Sequence, residues 1–470
     1  MIPATTFRGT SVAVFGLGRS GLASCRALLA GGASAVGDDD DAAGRARAAA
    51  AGVPLADLRS ADWRRFAALI LAPGVPLGDP SPHWSVAMAK AAGVPIIGDI
   101  EVFCRERAAH CVEAPFIAIT GTNGKSTTTA LIAHMLRAAG RDAQLGGNIG
   151  TPILALEPPQ VDRVHVIEMS SFQIELTPSL QPSIGVLLNI SPDHLDRHGT
   201  MQAYAGLKRR LITAATRPII GADDDWSRAI AASLADTGPG FVDVVSTRAR
   251  PSHGWYAEGT RLISDAPWTG PLGAFADLEG ISALRGRHNL QNALAASAAA
   301  LAAGAPAAVV AAALKTFPGL PHRLEEVGRL GRVLFINDSK ATNADSTATA
   351  LAAFAGGIFL ILGGRAKPGG IAGLDAQLAR VAKAYLIGEA MDDFAAALID
   401  KVAFERSGTL PAALAAAARD AALREAGPAP IVLLSPACAS YDQFPNFEAR
   451  GDAFRALVHA LPGIVIGGAR

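Results

Sequence analysis

The chain has 470 residues, enough for roughly three domains of ordinary size. Half of it is apolar, 18% is charged, and 42 basic side chains balance 42 acidic ones. This excludes bulk attraction to nucleic acid or an anionic membrane and predicts a globular protein that handles small molecules.

Cys25, Cys104, Cys111 and Cys438 lie apart with no C-x-x-C pair, which fits a reducing compartment. The opening MIPATTFRGT lacks a basic n-region ahead of an apolar core. No run nears about 18 uninterrupted apolar residues, so a cytoplasmic protein without membrane insertion is expected.

In chain order, the first apolar run is VAVF at 12–15. It leads into Gly16-Leu17-Gly18-Arg19-Ser20-Gly21, and the acidic run Asp38–Asp41 begins about where a ribose-binding carboxylate falls. Alone, this suggests a nicotinamide oxidoreductase. The spacing itself requires only a diphosphate against a helix N-terminus after a strand. A second run, AALILA at 67–72, is followed by the Gly/Pro-rich GVPIIGD and then by a break near 98–114, before the next strand.

The run FIAI at 116–119 opens into Thr120-Gly121-Thr122-Asn123-Gly124-Lys125-Ser126-Thr127, with a helix expected from about Thr128. Glycines let the backbone wrap an anion, Lys125 neutralises terminal phosphates, and the Ser126 or Thr127 hydroxyl can bind magnesium. A nucleoside triphosphate is the favoured ligand. The loop is shorter than the usual Walker pattern, because Ile119 stands five residues before Gly124.

The run VHVIEM (164–169) ends near Glu168, a candidate magnesium ligand, before Ser170-Ser171-Phe172-Gln173. IGVLLN (184–189) leads into Asp193-His194-Leu195-Asp196-Arg197-His198, where His194 rather than His198 is the candidate second metal ligand. The segment 217–275 is expected to be an irregular decoration. Two prolines and a glycine in FPGLPH (317–322) mark a second break, and the runs 333–337, 358–362 and 431–434 follow it. Apolar strands alternating with Ala/Leu-rich helices predict an α/β fold with mostly parallel sheets, in domains of 1–98, 99–319 and 320–470.

Together GTNGKST, GGNIG (146–150), EMSSFQ, DHLDRH, GRHNLQNALAA (286–296) and NDSKATN (337–343) resemble the Mur ligase family. SSFQ, NDSKATN and SPACASYDQF (435–444) are those of its D-glutamate-adding branch. The resemblance runs from Val12 to about Phe447. It implies a Rossmann-like UDP-binding domain, a central P-loop ATPase-like domain and a Rossmann-like C-terminal domain that binds the amino acid. It further implies that ATP phosphorylates the carboxylate of UDP-N-acetylmuramoyl-L-alanine and that D-glutamate attacks the acyl phosphate.

By the same resemblance, two magnesium ions serve the reaction. Lys125, Ser126 and Glu168 attend the transferring phosphoryl group, and His194 holds the second ion. A lysine four residues after a tyrosine is carbamylated in the family, which points to Lys208 after Tyr204. From the residues alone, Lys208-Arg209-Arg210 reads as a solvated basic helix face, and spacing by itself does not overturn that. Gly18, Arg19, Ser20, Asp38, Asn148 and His194 match UDP-sugar positions. Asn292, Arg323 and Asp338 match nucleotide positions. Thr342, Lys367, Ser440 and Phe447 match the D-glutamate pocket, with Lys340 supporting catalysis or closure. Ala72 replaces a frequent serine, and Asp39 and Asp40 stand where the family has Thr and Arg, an unfavourable charge run beside a diphosphate. A monomer closing about FPGLPH is expected. The competing readings are a related ligase for another amino acid or a folate, a nicotinamide oxidoreductase, and a non-enzymatic ATP switch. The lack of a D-N-P-R-like run tells against the diaminopimelate- or lysine-adding branch.

Overall fold

Runs of Val, Ile, Leu and Ala without a polar face form strands that need cover on both sides. In the structure, a computed structural model describing residues 1–78, 81–237, 242–270 and 272–466, each of the expected runs is a strand. The first sheet contains β1 (Ser11–Phe15), β2 (Ser34–Asp38), β3 (Phe66–Leu71) and β4 (Ile96–Ile97), parallel in the order β2-β1-β3-β4. Helices α1 (Arg19–Gly31), α2 (Ala42–Ala50) and α3 (Trp84–Ala91) connect its strands, and α4 (Asp99–His110) leads onward. Helix α1 stops where Gly32 adopts φ 89° and bonds back to the Leu28 and Leu29 carbonyls.

The second sheet contains β5 (Phe116–Thr120), β6 (Asp142–Gly147), β7 (Arg163–Glu168), β8 (Ile184–Leu187), β9 (Arg217–Gly221), β10 (Asp243–Ser246), β11 (Gly254–Glu258), β12 (Arg261–Ser264) and β13 (Gly273–Asp277). Their order is β13-β12-β11-β10-β9-β8-β5-β7-β6, parallel from β6 to β11 and antiparallel beyond. The accompanying helices are α5 (Lys125–Ala138), α6 (Ser171–Glu175), α7 (Leu195–His198), α8 (Met201–Thr213), α9 (Asp225–Thr237), α10 (Arg287–Ala302) and α11 (Ala307–Thr316). Residues 217–275 therefore extend the sheet instead of decorating it. Short strands carrying Trp, Tyr, Arg and Glu conceal this from a search for apolar runs.

The third sheet contains β14 (Glu325–Leu330), β15 (Val333–Asn337), β16 (Ile358–Gly363), β17 (Val381–Ile387), β18 (Phe404–Gly408), β19 (Ile431–Leu434) and β20 (Val465–Ile466). Its order is β18-β17-β16-β19-β15-β14-β20, with β14 antiparallel to both neighbours. Helices α12 (Ala344–Ala352), α13 (Met391–Leu398), α14 (Leu410–Ala422) and α15 (Phe447–His459) accompany it.

The chain divides into two compact units: residues 1–277 with 290–315, and residues 278–289 with 316–470. The boundary expected at 98/99 lies inside the first unit, between β4 and α4. The one expected at 319/320 lies in the second unit, a few residues past Thr316. One buried cluster in the first unit joins Val12, Ile70 and Ile97 of the first sheet to Ile100 and Phe103 of α4 and to Phe116 and Ile167 of the second sheet. Phe103 meets Phe116 edge to face, with ring centroids 5.2 Å apart. Burial of each such ring contributes about 2–3 kcal/mol. The shared core is why two sheets make one unit.

Asp99, the first residue of α4, is buried; its Oδ1 accepts from the Ile100 amide and its Oδ2 has no hydrogen-bond partner. Burial pushes its carboxyl up to about 6. A folded-state value above the unfolded one means that the native chain holds this proton more tightly. The group's cost to stability thus grows as pH rises from about 4 to about 6. Asp99→Asn is expected to gain on the parent by on the order of 2 kcal/mol between pH 4.5 and 7, measured by thermal melts. A difference independent of pH would contradict this.

Candidate active site

The phosphate loop joins β5 to α5, and α5 starts at Lys125, three residues earlier than expected, with Gly124 as its N-cap. Gly121 (φ 151°) and Gly124 (φ 87°) take conformations that side chains resist, and a Cβ on Gly124 would collide with the Asn292 amide. Asn189, at the end of the β8 run, holds the loop. Its Oδ1 accepts from the Asn123 amide (2.9 Å), and its Nδ2 donates to the Asn123 carbonyl (3.1 Å) and to Gln291 Oε1 (3.3 Å). Lys125 Nζ donates to the carbonyls of Gly121 (2.9 Å) and Thr122 (2.8 Å). Ser126 is buried beside it.

Lys208 reaches the same loop from α8. Its Nζ donates to the Gly121 carbonyl (2.9 Å) and to Thr120 Oγ1 (3.4 Å), so two amines converge on one carbonyl. Burial first, and then the Lys125 charge, hold the Lys208 amine well below the ordinary lysine range. Arg209 and Arg210 are exposed while Lys208 is 1% exposed, so the three do not form one solvated face. One turn back, the Tyr204 hydroxyl meets Thr122 Oγ1 at 3.1 Å, and Lys208 Nζ lies 4.5 Å from the Tyr204 ring.

Glu168 ends β7 and is buried. Asn148 Nδ2 donates to its Oε1 (2.8 Å), while Oε2 is buried without a hydrogen-bond partner. A buried carboxylate oxygen left open is what a hard cation requires. Among the described residues no group of three His, Cys, Asp or Glu side chains converges. Magnesium needs few protein ligands, since it retains waters and binds substrate phosphates, so Glu168 with Ser126 suits it. His194 is exposed, has φ 53° and places Nε2 3.5 Å from Asp193 Oδ2. Burial first, followed by the nearby His194, Lys208 and Arg197 side chains, presses His198 toward neutrality.

In the first sheet, Gly18 caps α1, Arg19 is exposed and Ser20 half-buried. The acidic run is internally engaged. Asp38 accepts from the Leu58 amide (3.0 Å) and pairs with Arg45. Asp39 accepts from the Leu17 amide of the glycine loop. Asp40 accepts from His83 Nε2 (2.8 Å) and Trp84 Nε1 (3.2 Å). Arg197 donates to the carbonyls of Gly74 (3.4 Å) and Val75 (3.3 Å) in the turn that follows Ala72.

In the second unit, Arg323 lies between His322 (φ 63°) and Leu324 (φ 44°), both left-handed. The Leu324 amide is anchored on Asp338 Oδ1 (3.2 Å), and Ser435 Oγ donates to Asp338 Oδ2 (2.8 Å). Burial pushes the Asp338 carboxyl up to about 7. Lys340 Nζ stands 4.0 Å from the ring of half-buried Phe447, and Thr342 is half-buried after it. Exposed Lys367 lines a cavity of 340 Å³ with Gly370, Ile371 and Phe394. The Arg365 and Ala439 backbones pair (2.9 and 3.0 Å), which brings the Lys367 loop beside buried Ser440. The expected nucleotide residues thus divide, with the phosphate loop and Asn292 in the first unit and Arg323 and Asp338 in the second.

Sequence reasoning passed over Asn189, Phe172 and Arg450. Asn189 closes an apolar run, the position where parallel strands present ligand-facing groups, and could have been found by that rule. Arg450 sits in α15 among ordinary charged residues, and nothing in the pattern marks it. It is 1% exposed, donating through Nε to Ser339 Oγ (3.0 Å) and through Nη2 to the carbonyls of Ser339 (2.9 Å) and Cys438 (3.0 Å). Arg450→Ala is expected to lose about 3 kcal/mol in urea unfolding, because three buried acceptors are orphaned. Arg450→Lys should recover only part, since an ammonium lacks the fork that spans both loops.

A family model described as the Mur ligase middle domain matches residues 119–300, and one described as the Mur ligase glutamate ligase domain matches 322–438. A UDP-N-acetylmuramoylalanine--D-glutamate ligase of Nitrobacter winogradskyi is 59% identical over 469 residues, covering 99% of each chain. A ligase of the same name from Brucella abortus is 56% identical over 467 residues, again covering 99% of each. Among solved structures, UDP-N-acetylmuramate-alanine ligase of Thermotoga maritima shares the fold at a TM-score of 0.58 with 18% identity, over 95% of this chain and 98% of that one. MurF ligase of the same organism, in complex with ADP, does so at 0.55 with 17% identity, over 97% and 96%. With both family models, full-length relatives, the phosphate loop and three helix-flanked sheets in agreement, the chain belongs to the Mur ligase family.

Proposed function

We infer that the chain is an ATP-dependent amide-bond ligase that joins D-glutamate to UDP-N-acetylmuramoyl-L-alanine through an acyl phosphate, working in the cytoplasm on peptidoglycan precursors. The observation that carries this reading is the end-to-end alignment with relatives named for that activity. No helix among the described residues is long and apolar enough to cross a membrane.

The roles follow from the chemistry of each group. The backbone of Gly121–Thr127 cradles ATP, and Lys125 leaves its loop carbonyls to neutralise the terminal phosphates. Glu168 Oε2 and the Ser126 hydroxyl would hold one magnesium ion, with His194 and Lys208 serving a second. Magnesium, when bound, screens charge on the phosphoryl group. The open Glu168 oxygen supports this assignment. Lys208 would serve as a carbamate, because burial favours the uncharged amine, the form that adds carbon dioxide. Asn148 orients Glu168 through its amide, and with Gly18, Arg19, Ser20 and Asp38 it would receive the UDP-sugar. Asn292, Arg323 and Asp338 hold the nucleotide. Thr342, Lys367, Ser440 and Phe447 receive D-glutamate, Lys367 pairing with a carboxylate and Lys340 assisting. The domain limits 1–98, 99–319 and 320–470 are kept as the functional division of a monomer.

Phosphate release from ATP, magnesium and UDP-N-acetylmuramoyl-L-alanine should depend on D-glutamate and not on other amino acids. Release with any amino acid, or with a folate substrate only, would refute the assignment. Lys208→Ala should lower kcat by at least about a hundredfold and be partly restored by a small carboxylate such as acetate. Near-normal activity without rescue would return Lys208 to a packing role.

A further inference from the structure

We propose that Phe172 and His198 are positioning residues, the middle members of an aromatic stack that fixes His194 relative to Lys208 and the phosphate loop. This rests on the roles assigned above to His194 and Lys208. The Phe172 ring centroid lies 5.1 Å from that of His194 and 4.9 Å from that of His198, with the last pair nearly parallel at 21°. His198 in turn lies 5.4 Å from Tyr204. Tyr204 is then 4.5 Å from Lys208 Nζ and bonds Thr122 of the loop. An unbroken series of contacts therefore runs from one catalytic candidate to the other.

The need for such a device is local. His194 precedes a helix of four residues, α7, and Phe172 stands in one of five, α6. Helices this short are held by their surroundings, because too few internal bonds repay the cost of ordering them. Each is pinned at a point next to the stack. Ser170 and Gln173 cap α6 reciprocally, Ser171 Oγ meets His198 Nε2 at 2.8 Å, and the Arg197 guanidinium lies 4.8 Å from the Phe172 ring. With its Nε2 committed to Ser171, His198 contributes a flat ring face, whereas His194 remains at the surface. Arg197 also bonds the turn after β3, so the register of the stack is shared with the first sheet.

The test uses the full chain and steady-state kinetics for all three substrates. Phe172→Leu and His198→Leu remove the rings. Each should lower kcat by about tenfold to a hundredfold, the expected effect of misplacing reactive groups by a fraction of an ångström to an ångström. The KM for ATP should stay within about twofold, because the loop itself is intact. Phe172→Tyr and His198→Phe keep a ring face and should recover kcat to within about threefold of the parent. Binding of a non-hydrolysable ATP analogue reports that each variant is folded. Parental kcat in the Leu variants, or a loss that the ring-bearing variants do not recover, overturns the proposal. His194→Ala and Lys208→Ala run alongside. If they remain active, the assignment of those two residues fails. If they are inactive while the Leu variants are not, the stack alone fails.

Discussion

Placing an amine beneath a phosphate loop costs free energy, and the second sheet is arranged around that cost. Lys208 has exchanged water for the Gly121 carbonyl and the Thr120 hydroxyl, and Lys125 already uses the same carbonyl. Such crowding of like charges is tolerable only if one amine gives up its proton or gains an anionic partner. Glu168, Asn148 and Tyr204 are set about this point by β7, the loop after β6 and α8. The strand order β8-β5-β7 brings their ends together, and the phosphate loop starts at the central one.

Much of this was legible in the sequence because parallel strands advertise themselves. β5, β7 and β8 are unbroken apolar runs, and chemistry in such sheets follows the last apolar residue, so the loop, Glu168 and the Asp193–His198 cluster could be found by reading forward. β2 could not, since Ser-Ala-Val-Gly-Asp is too small and mixed to stand out from a loop. The grouping of two sheets in one unit was also hidden. It rests on contacts such as Phe103 of α4 meeting Phe116 of β5, which no local pattern encodes. Phe172 read as one letter of a motif, and only geometry reveals three neighbouring side chains on it.

The acidic run shows how a pattern can mislead by charge count alone. Three successive aspartates, Asp38 at the end of β2 and the two that follow it, suggest repulsion of any diphosphate. In the fold their carboxylates face Arg45, the Leu17 amide and the His83–Trp84 pair. Each is therefore partnered by a donor within the first sheet's own framework, and the run acts as a set of fasteners for the glycine loop and its flanks. The field such a run projects depends on what those donors neutralise, which composition does not record.

Arg450 has a further implication for how the second unit can change. Its guanidinium is the common fastening of three stretches: the loop at Ser339, more than a hundred residues away, the loop at Cys438 and α15 itself. Interactions that share a partner are not additive. These stretches are consequently one block for recombination. A chimaera that imports either loop from a distant ligase without its matching helix would separate a buried cation from its acceptors, whereas crossovers that carry all three together leave that balance untouched.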